Sequence, residues 1–151
     1  MAFDLYQELL TLTNALDAGR LSYALCGGLA VAIHGAPRFT KDVDLLVLPG
    51  EVGKVKAVAK ALGFVAESLP VHFKPTGEMH RVIKFSTSGE FLVLDLLLVG
   101  PELEPVWKTR ERLSADGREL WVVSRQGLLS MKLAAGRPQD LLDAQKLSET
   151  E

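Results

Sequence analysis

The chain has 151 residues, of which 48% are hydrophobic and 24% are charged, and its formal net charge is −2. These values are typical of one globular domain with its own core, and they exclude the strongly basic surface of a general nucleic-acid-binding protein. The single cysteine, Cys26, excludes an internal disulfide framework, and no apolar run reaches the about 18 residues of a transmembrane helix. We therefore expect one cytoplasmic domain over residues 1–151, without a signal peptide or a membrane span.

The hydrophobic pattern predicts helices and strands that alternate along the chain. In chain order we predict a helix over 3–16, a strand over 23–26, a helix over 29–34, a strand over 43–48 and a helix over 52–62. Strands over 64–67, 71–74, 82–85 and 91–99 follow, then a helix over 102–109, a strand over 119–123, a helix between a cap at Ser124 and a stop at Gly136, and a last helix over 139–147. This order indicates an α/β fold, with a mixed β-sheet core over about 20–123, flanking helices, and a short C-terminal helical appendage over about 124–149.

Two aspartates, Asp42 and Asp44, stand at the start of the apolar segment Leu45–Leu48. Residues two apart on a strand point to the same face, so the two carboxylates converge and repel each other. A divalent cation removes that repulsion, and Mg²⁺ prefers a few carboxylate oxygens together with substrate phosphates. The pair is therefore either a metal site for phosphate chemistry or the solvated end of a strand.

A third carboxylate, Asp95, lies at the centre of the apolar segment Phe91–Val99. Aliphatic residues on both sides of it predict a strand that is covered on both faces. A charge in such a strand is costly unless it is paired or bound to a metal. Asp95 therefore either pairs with a buried arginine or lies beside Asp42 and Asp44 in an acidic cluster that holds two metal ions.

The order and spacing of these residues carry a family resemblance. The residues that carry it are Gly27-Gly28-Leu29-Ala30, His34-Gly35, Arg38, Thr40, Asp42-Val43-Asp44-Leu45 and Asp95. They resemble the polymerase-β-type nucleotidyltransferases, above all the small standalone bacterial members, including those found in toxin–antitoxin systems. A later pattern of Lys132, Arg137, Asp140 and Asp143 is similar to the segment that follows the core in that group. The resemblance runs from about residue 22 to about residue 147.

The resemblance implies a nucleotidyltransferase fold and a metal-dependent reaction. Such an enzyme moves an NMP from an NTP, such as ATP, to a hydroxyl acceptor and releases pyrophosphate, with Mg²⁺ or Mn²⁺ as the metal. The acceptor is an RNA such as tRNA, a protein or a small molecule. The alternative is a non-catalytic nucleotide-binding or partner-binding component of a toxin–antitoxin-type system.

The resemblance also implies roles for eight residues of this chain. Asp42, Asp44 and Asp95 are the catalytic and metal-binding residues, and Gly27, Gly28, Arg38, Thr40 and Lys132 bind the nucleotide. The paired glycines let the backbone approach the triphosphate at a helix N-terminus, where unpaired N–H groups favour an anion. Arg38 either contacts a phosphate or pairs with an acidic surface residue, and Thr40 either joins the site or caps a turn.

Several charged residues outside the core motif have two interpretations each. Lys132 either contacts phosphates or is a surface lysine, and in both cases its replacement by alanine should barely change fold stability. Asp140 and Asp143 are neighbours on one helix face and either meet the substrate or hold Lys132 or Arg137 in place. The segment around Arg81 either adds a basic strip to the cleft or is a solvated strand edge, and the edge is the simpler interpretation.

Overall fold

The structure, a computed structural model, describes residues 3–37, 39–73 and 77–149. These residues form one mixed sheet together with six α-helices, which confirms the predicted α/β fold. The strands are β1 (Ala24–Cys26), β2 (Asp42–Val47), β3 (Phe64–Glu67), β4 (Val71–Phe73), β5 (Gly77–Phe85), β6 (Phe91–Leu98), β7 (Glu111–Ala115) and β8 (Arg118–Val122). The α-helices are α1 (Leu5–Ala18), α2 (Gly27–Ile33), α3 (Val52–Ala61), α4 (Glu104–Lys108), α5 (Arg125–Ala135) and α6 (Pro138–Glu149), and a 3₁₀ turn spans Pro49–Glu51.

The sheet places the predicted acidic strands side by side at its centre. The strand order is β3-β5-β6-β2-β1-β8-β7, and β4 pairs with the other end of β5. The pairs β2–β6 and β1–β8 are parallel, and the remaining pairs are antiparallel. Asp44 of β2 is directly opposite Asp95 of β6 on one side and Cys26 of β1 on the other. The prediction that the Asp95 strand lies beside the Asp42 strand is therefore confirmed.

The helices begin and end where the sequence places caps. The carboxylate of Asp4 accepts a hydrogen bond from the Gln7 amide at the start of α1, and the Ser124 hydroxyl accepts one from the Gly127 amide at the start of α5. Gly136 ends α5 in the left-handed conformation, with φ of 66°. Helices α5 and α6 then pack against each other, and α5 also contacts α2 and α4.

Two parts of the sheet differ from the prediction. Strand β7 was not expected, because Glu111–Ala115 carries few apolar side chains and lies at the sheet edge, paired only with β8. Strand β5 begins at Gly77, five residues earlier than predicted, because the polar residues before Val82 also pair with β4 and β6. Residue Lys74, the predicted end of β4, lies outside the described residues.

None of the helices in the described ranges combines the length and the apolar character that crossing a membrane requires.

Candidate active site

A cleft of about 1280 Å³ opens beside the sheet face that carries the acidic residues. It brings together seven of the eight residues that the sequence singled out: Gly27, Gly28, Thr40, Asp42, Asp44, Asp95 and Lys132. The eighth, Arg38, lies outside the described residues. The elements that line the cleft are the first turn of α2, the loop before β2, the strands β2, β5 and β6, the helix α4 with the segment before it, and the helices α5 and α6.

Asp44 is the most strongly perturbed carboxylate of the cleft. Its burial raises its pKa from the usual 3.8 to about 7, and the negative charges of Asp95 and Asp42 act in the same direction. Lys132 and Arg137 offset part of this effect. Asp44 is fixed by a central strand, so the chain cannot relieve the repulsion by moving the residue away. The ionised carboxylate is therefore held in a position that favours a bound cation.

Asp42 shares this environment, two residues earlier on the same face of β2. Burial raises its pKa first, and the charge of Asp95 raises it further, while Arg81 and Lys41 lower it. The two aspartates thus form the converging pair that their spacing predicts. Carboxylate oxygens on one strand face suit Mg²⁺, which in nucleotide sites is held by one or two carboxylates and by substrate phosphates.

Asp95 is paired with an arginine. Its carboxylate accepts hydrogen bonds from Arg81, with Nε–Oδ1 at 2.7 Å and Nη2–Oδ2 at 3.0 Å. The Asp95 side chain is only 7% exposed, whereas the Arg81 side chain is 41% exposed and lines the cleft. The structure therefore shows both features that the sequence left open: Asp95 lies opposite Asp44, and it pairs with an arginine whose side chain is partly exposed rather than buried. Across the described ranges, no three His, Cys, Asp or Glu side chains gather into a group that could hold a metal ion.

For the segment around Arg81, the interpretation as a solvated strand edge was wrong, and Arg81 lines the cleft instead. Strand β5 is not a solvated edge, because β3 and β4 pair with one side of it and β6 with the other. Arg81 is directly opposite Asp95 in the register of β5 and β6. The alternation of β5 alone could not reveal this contact, since the partner depends on a register that the sequence does not state.

Gly27 explains why the first turn of α2 lies so close to the acidic strand. Its φ is +68°, and a Cβ atom built there would lie 2.2 Å from Oδ2 of Asp44. The glycine is therefore needed both for a left-handed backbone and for the space that the Asp44 carboxylate occupies. Asp44 and the start of α2 pack together directly, and this contact forms one corner of the cleft.

We expect Gly27→Ala to destabilise the protein more than Gly136→Ala does. Both glycines have a positive φ, of +68° and +66°, so both changes carry a backbone cost of about 1–2 kcal/mol. At Gly136 the nearest atom to an added Cβ is the Leu133 carbonyl oxygen at 3.7 Å, so no clash follows. At Gly27 the clash with Asp44 should add roughly 1–2 kcal/mol. Urea unfolding of both variants measures the difference, and equal losses would contradict the packing argument.

Lys132 is buried rather than on the surface, so that interpretation was wrong. Its residue is 7% exposed, and its Nζ lies 3.0 Å from Oδ2 of Asp143 and 3.4 Å from Oδ1 of Asp140. Asp140 also accepts hydrogen bonds from the Arg137 guanidinium, at 2.6 Å from Nε and 3.2 Å from Nη2. Gln139 donates to Oδ1 of Asp143 at 2.9 Å. The two aspartates therefore hold Lys132 and Arg137 in place, as one of the two interpretations predicted.

The Asp140 carboxylate is ionised more easily than a free one. Burial raises its pKa, but the hydrogen bonds and charge of Arg137 and the charge of Lys132 outweigh burial, so that the net pKa is lowered. Arg137 itself is 77% exposed at its side chain and lines the cleft. Arg137 therefore presents a positive charge to the cleft, and Asp140 holds its guanidinium in place.

Comparison with known proteins adds the fold family. No protein-family model and no curated protein matches the chain. Among solved structures, it is similar to the lincosamide antibiotic adenylyltransferase LnuA with bound lincomycin, with 14% identity, a TM-score of 0.65 and 97% of each chain covered. It is also similar to the antibiotic-resistance factor ANT(2″)-Ia in complex with adenylyl-2″-tobramycin, with 14% identity, a TM-score of 0.66, and 96% of this chain and 88% of that one covered.

A third similar structure is TM1012 from Thermotoga maritima, described as a candidate nucleotidyltransferase. It is 15% identical, with a TM-score of 0.65, and 99% of this chain and 96% of that one are covered. At such identities the likeness shows the fold alone. The chain therefore has the fold of solved nucleotidyltransferases, as the resemblance implied, and none of these structures links it to a toxin–antitoxin system.

Proposed function

We propose that this chain is a metal-dependent nucleotidyltransferase, which moves an NMP from an NTP to a hydroxyl acceptor and releases pyrophosphate. The observation that carries the proposal is the pair Asp42 and Asp44 on one face of β2, with raised pKa values, in the cleft of a nucleotidyltransferase fold. Fixed carboxylates that repel each other are unfavourable for the protein alone and favourable for a cation site.

Asp42 and Asp44 would hold the Mg²⁺ ion, or Mn²⁺ in its place. Their oxygens match the preference of Mg²⁺ for one or two protein carboxylates with phosphate oxygens as the other ligands. When bound, the ion polarises the phosphate and balances the charge that develops on it. Asp95 is the third of the predicted metal-binding carboxylates, and both oxygens of Asp95 are already bound by Arg81. We therefore assign the metal to the two aspartates of β2.

The remaining residues of the chain would position the nucleotide. Gly27 and Gly28 begin α2 beside Asp44, where helix N–H groups favour the charge of a triphosphate. Thr40 lines the cleft in the loop that enters β2, and the phosphate role of Arg38 in the same loop stays a prediction. Lys132 also lines the cleft, and its phosphate role stays a prediction, because Asp140 and Asp143 already hold its ammonium. Most of the rate would then come from orientation and from the neutralisation of charge.

We infer that the acceptor is a small molecule. The cleft volume of about 1280 Å³ exceeds the roughly 300–1,000 Å³ of a typical ligand pocket, so that it has room for a nucleotide and a second molecule. The lining of the cleft also includes apolar side chains, among them Met79, Leu97, Leu98, Leu103 and Met131. LnuA with lincomycin and ANT(2″)-Ia with adenylyl-tobramycin offer two precedents on this fold. A tRNA or a partner protein as acceptor stays a prediction from the resemblance.

An assay of pyrophosphate release tests the proposal. The protein would be incubated with each labelled NTP, Mg²⁺, and a panel of hydroxyl-bearing small molecules that includes lincosamides and aminoglycosides, with total RNA and cell protein as further acceptors. We expect release that requires Mg²⁺ and an acceptor. Because the metal contributes several kcal/mol, Asp42→Asn combined with Asp44→Asn should lower the rate at least about 100-fold.

The matched control is Glu111→Gln, which neutralises an exposed acid on edge strand β7 and should leave the rate unchanged. Equal pyrophosphate release by the wild type and the double variant would overturn the role of the aspartate pair. The absence of transfer with every NTP and acceptor would favour the non-catalytic alternative.

A further inference from the structure

We propose that Arg81 supplies, at Asp95, the positive charge that a second metal ion would otherwise supply, so that this site takes one divalent cation rather than two. The inference rests on the proposed function, because it concerns how many cations accompany the nucleotide. Arg81 is then a positioning residue for Asp95, and the metal stays with Asp42 and Asp44. The sequence alone led to the opposite expectation, of two metal ions held by three carboxylates.

The first argument is the geometry of the contact. Arg81 uses Nε and Nη2 to bind the two different oxygens of Asp95, at 2.7 and 3.0 Å. This two-point contact matches the planar guanidinium to the planar carboxylate and is the strongest form of such a pair. Both oxygens of Asp95 therefore already face a cation. A metal ion could take either oxygen only by displacing one of the two hydrogen bonds or by adding a second cation next to Arg81.

The second argument is that the sheet itself fixes the pair. Arg81 of β5 is directly opposite Asp95 of β6, and Asp95 is directly opposite Asp44 of β2. Directly opposite residues on neighbouring strands project to the same face, and neighbouring strands lie about 4.8 Å apart. The three side chains thus form one row across three neighbouring strands, with Asp95 between Arg81 and Asp44. Arg81 keeps its place in this row without any rearrangement of a loop.

The third argument is the balance of charge. When all three are ionised, Asp42, Asp44 and Asp95 carry three negative charges, and Arg81 reduces the sum for these side chains to two. One divalent cation balances that remainder among the protein side chains. A guanidinium also keeps its charge at every accessible pH and cannot exchange with the solvent as a metal ion does.

Counting the ions that accompany the nucleotide tests the inference. In equilibrium dialysis with Mn²⁺ and a non-hydrolysable NTP analogue, the ratio of excess Mn²⁺ to excess analogue in the protein chamber gives the number of ions in each complex. We expect one ion for the wild type and one for Arg81→Lys, which keeps the charge. We expect two for Arg81→Gln, because Asp95 is then free for a metal, and one for Arg81→Gln combined with Asp95→Asn.

The outcomes separate this inference from the proposed function. Two ions for the wild type would overturn the inference and leave the nucleotidyltransferase proposal standing. One ion for both the wild type and Arg81→Gln would also overturn it, because Arg81 would not be what excludes the second ion. No retained analogue in the wild type would overturn both. If Arg81→Gln does not fold, as judged by circular dichroism, the wild-type ratio alone decides, since the competing arrangement requires two ions there.

Discussion

Lys132→Met is expected to destabilise the fold by about 3–5 kcal/mol, the cost of removing one partner from a buried ion pair. Methionine replaces the stem of the lysine but not its charge. The Asp143 carboxylate, which is 0% exposed, then loses the ammonium that lies 3.0 Å from its Oδ2. Asp140 is less affected, because Arg137 still binds it. Urea unfolding at pH 7 measures the loss. The sequence alone led us to expect that replacing Lys132 would barely change fold stability.

Two further variants show whether the cost arises from the buried charge. Lys108→Met removes an exposed lysine that lies 3.8 Å from Glu104 on α4, and it should cost at most about 1 kcal/mol. Lys132→Met combined with Asp143→Asn removes the uncompensated charge but keeps the oxygen that accepts from Gln139, so it should recover much of the lost stability. A loss below about 1 kcal/mol in the single variant would show that the ammonium is solvated.

Asp44→Asn is expected to stabilise the metal-free protein at alkaline pH. The folded protein holds the Asp44 proton up to a pKa of about 7, whereas an aspartate in the unfolded chain releases it near 3.8. The unfolded state therefore binds fewer protons between these values, and the stability of the wild type falls as the pH rises from about 4 to about 7. Asparagine removes this penalty, which amounts to at most about 4 kcal/mol.

The gain should be close to zero near pH 4 and largest at pH 8, as measured by thermal or urea unfolding in the presence of a chelator. Asp140→Asn is the control of opposite sign, because the pKa of Asp140 is lowered and its ionised form supports the fold. That variant should be less stable than the wild type by the same amount at every pH from 5 to 8. If Asp44→Asn is less stable than the wild type at pH 8, Asp44 has a structural role that outweighs its repulsion.

The fold was predictable where a local pattern decides it. Ser124 and Gly136 frame α5 because each acts through contacts within one helical turn, and the sequence shows both ends. The apolar run around Asp95 has the length and composition of a strand that is covered on both faces, and β6 is such a strand. Its place beside β2 was a condition of the acidic cluster, and the sheet order meets that condition. Seven of the residues that the resemblance named line one cleft.

What escaped prediction depends on contacts between distant segments. The partner of Asp95 is set by the register of β5 against β6, which a one-residue shift would change completely. The burial of Lys132 depends on how α6 folds back on α5, since Asp140 and Asp143 meet the lysine only in that arrangement. Strand β7 has a polar sequence because it needs to satisfy only one neighbour, and hence it lacks the usual signal of a strand.

The contact between Gly27 and Asp44 also restricts how this sequence can change. An added Cβ at Gly27 would lie where the Asp44 carboxylate lies, so no larger residue fits at position 27 while the acid is present. Loss of the acid would relieve only part of this restriction, because the added Cβ would also lie 2.9 Å from the Cβ atom of residue 44. The left-handed φ of Gly27 disfavours most replacements as well. Position 27 should therefore stay glycine even in descendants that have replaced the acid by asparagine or alanine. Among natural variants of this chain, a side chain at position 27 would indicate that the start of α2 has moved away from β2.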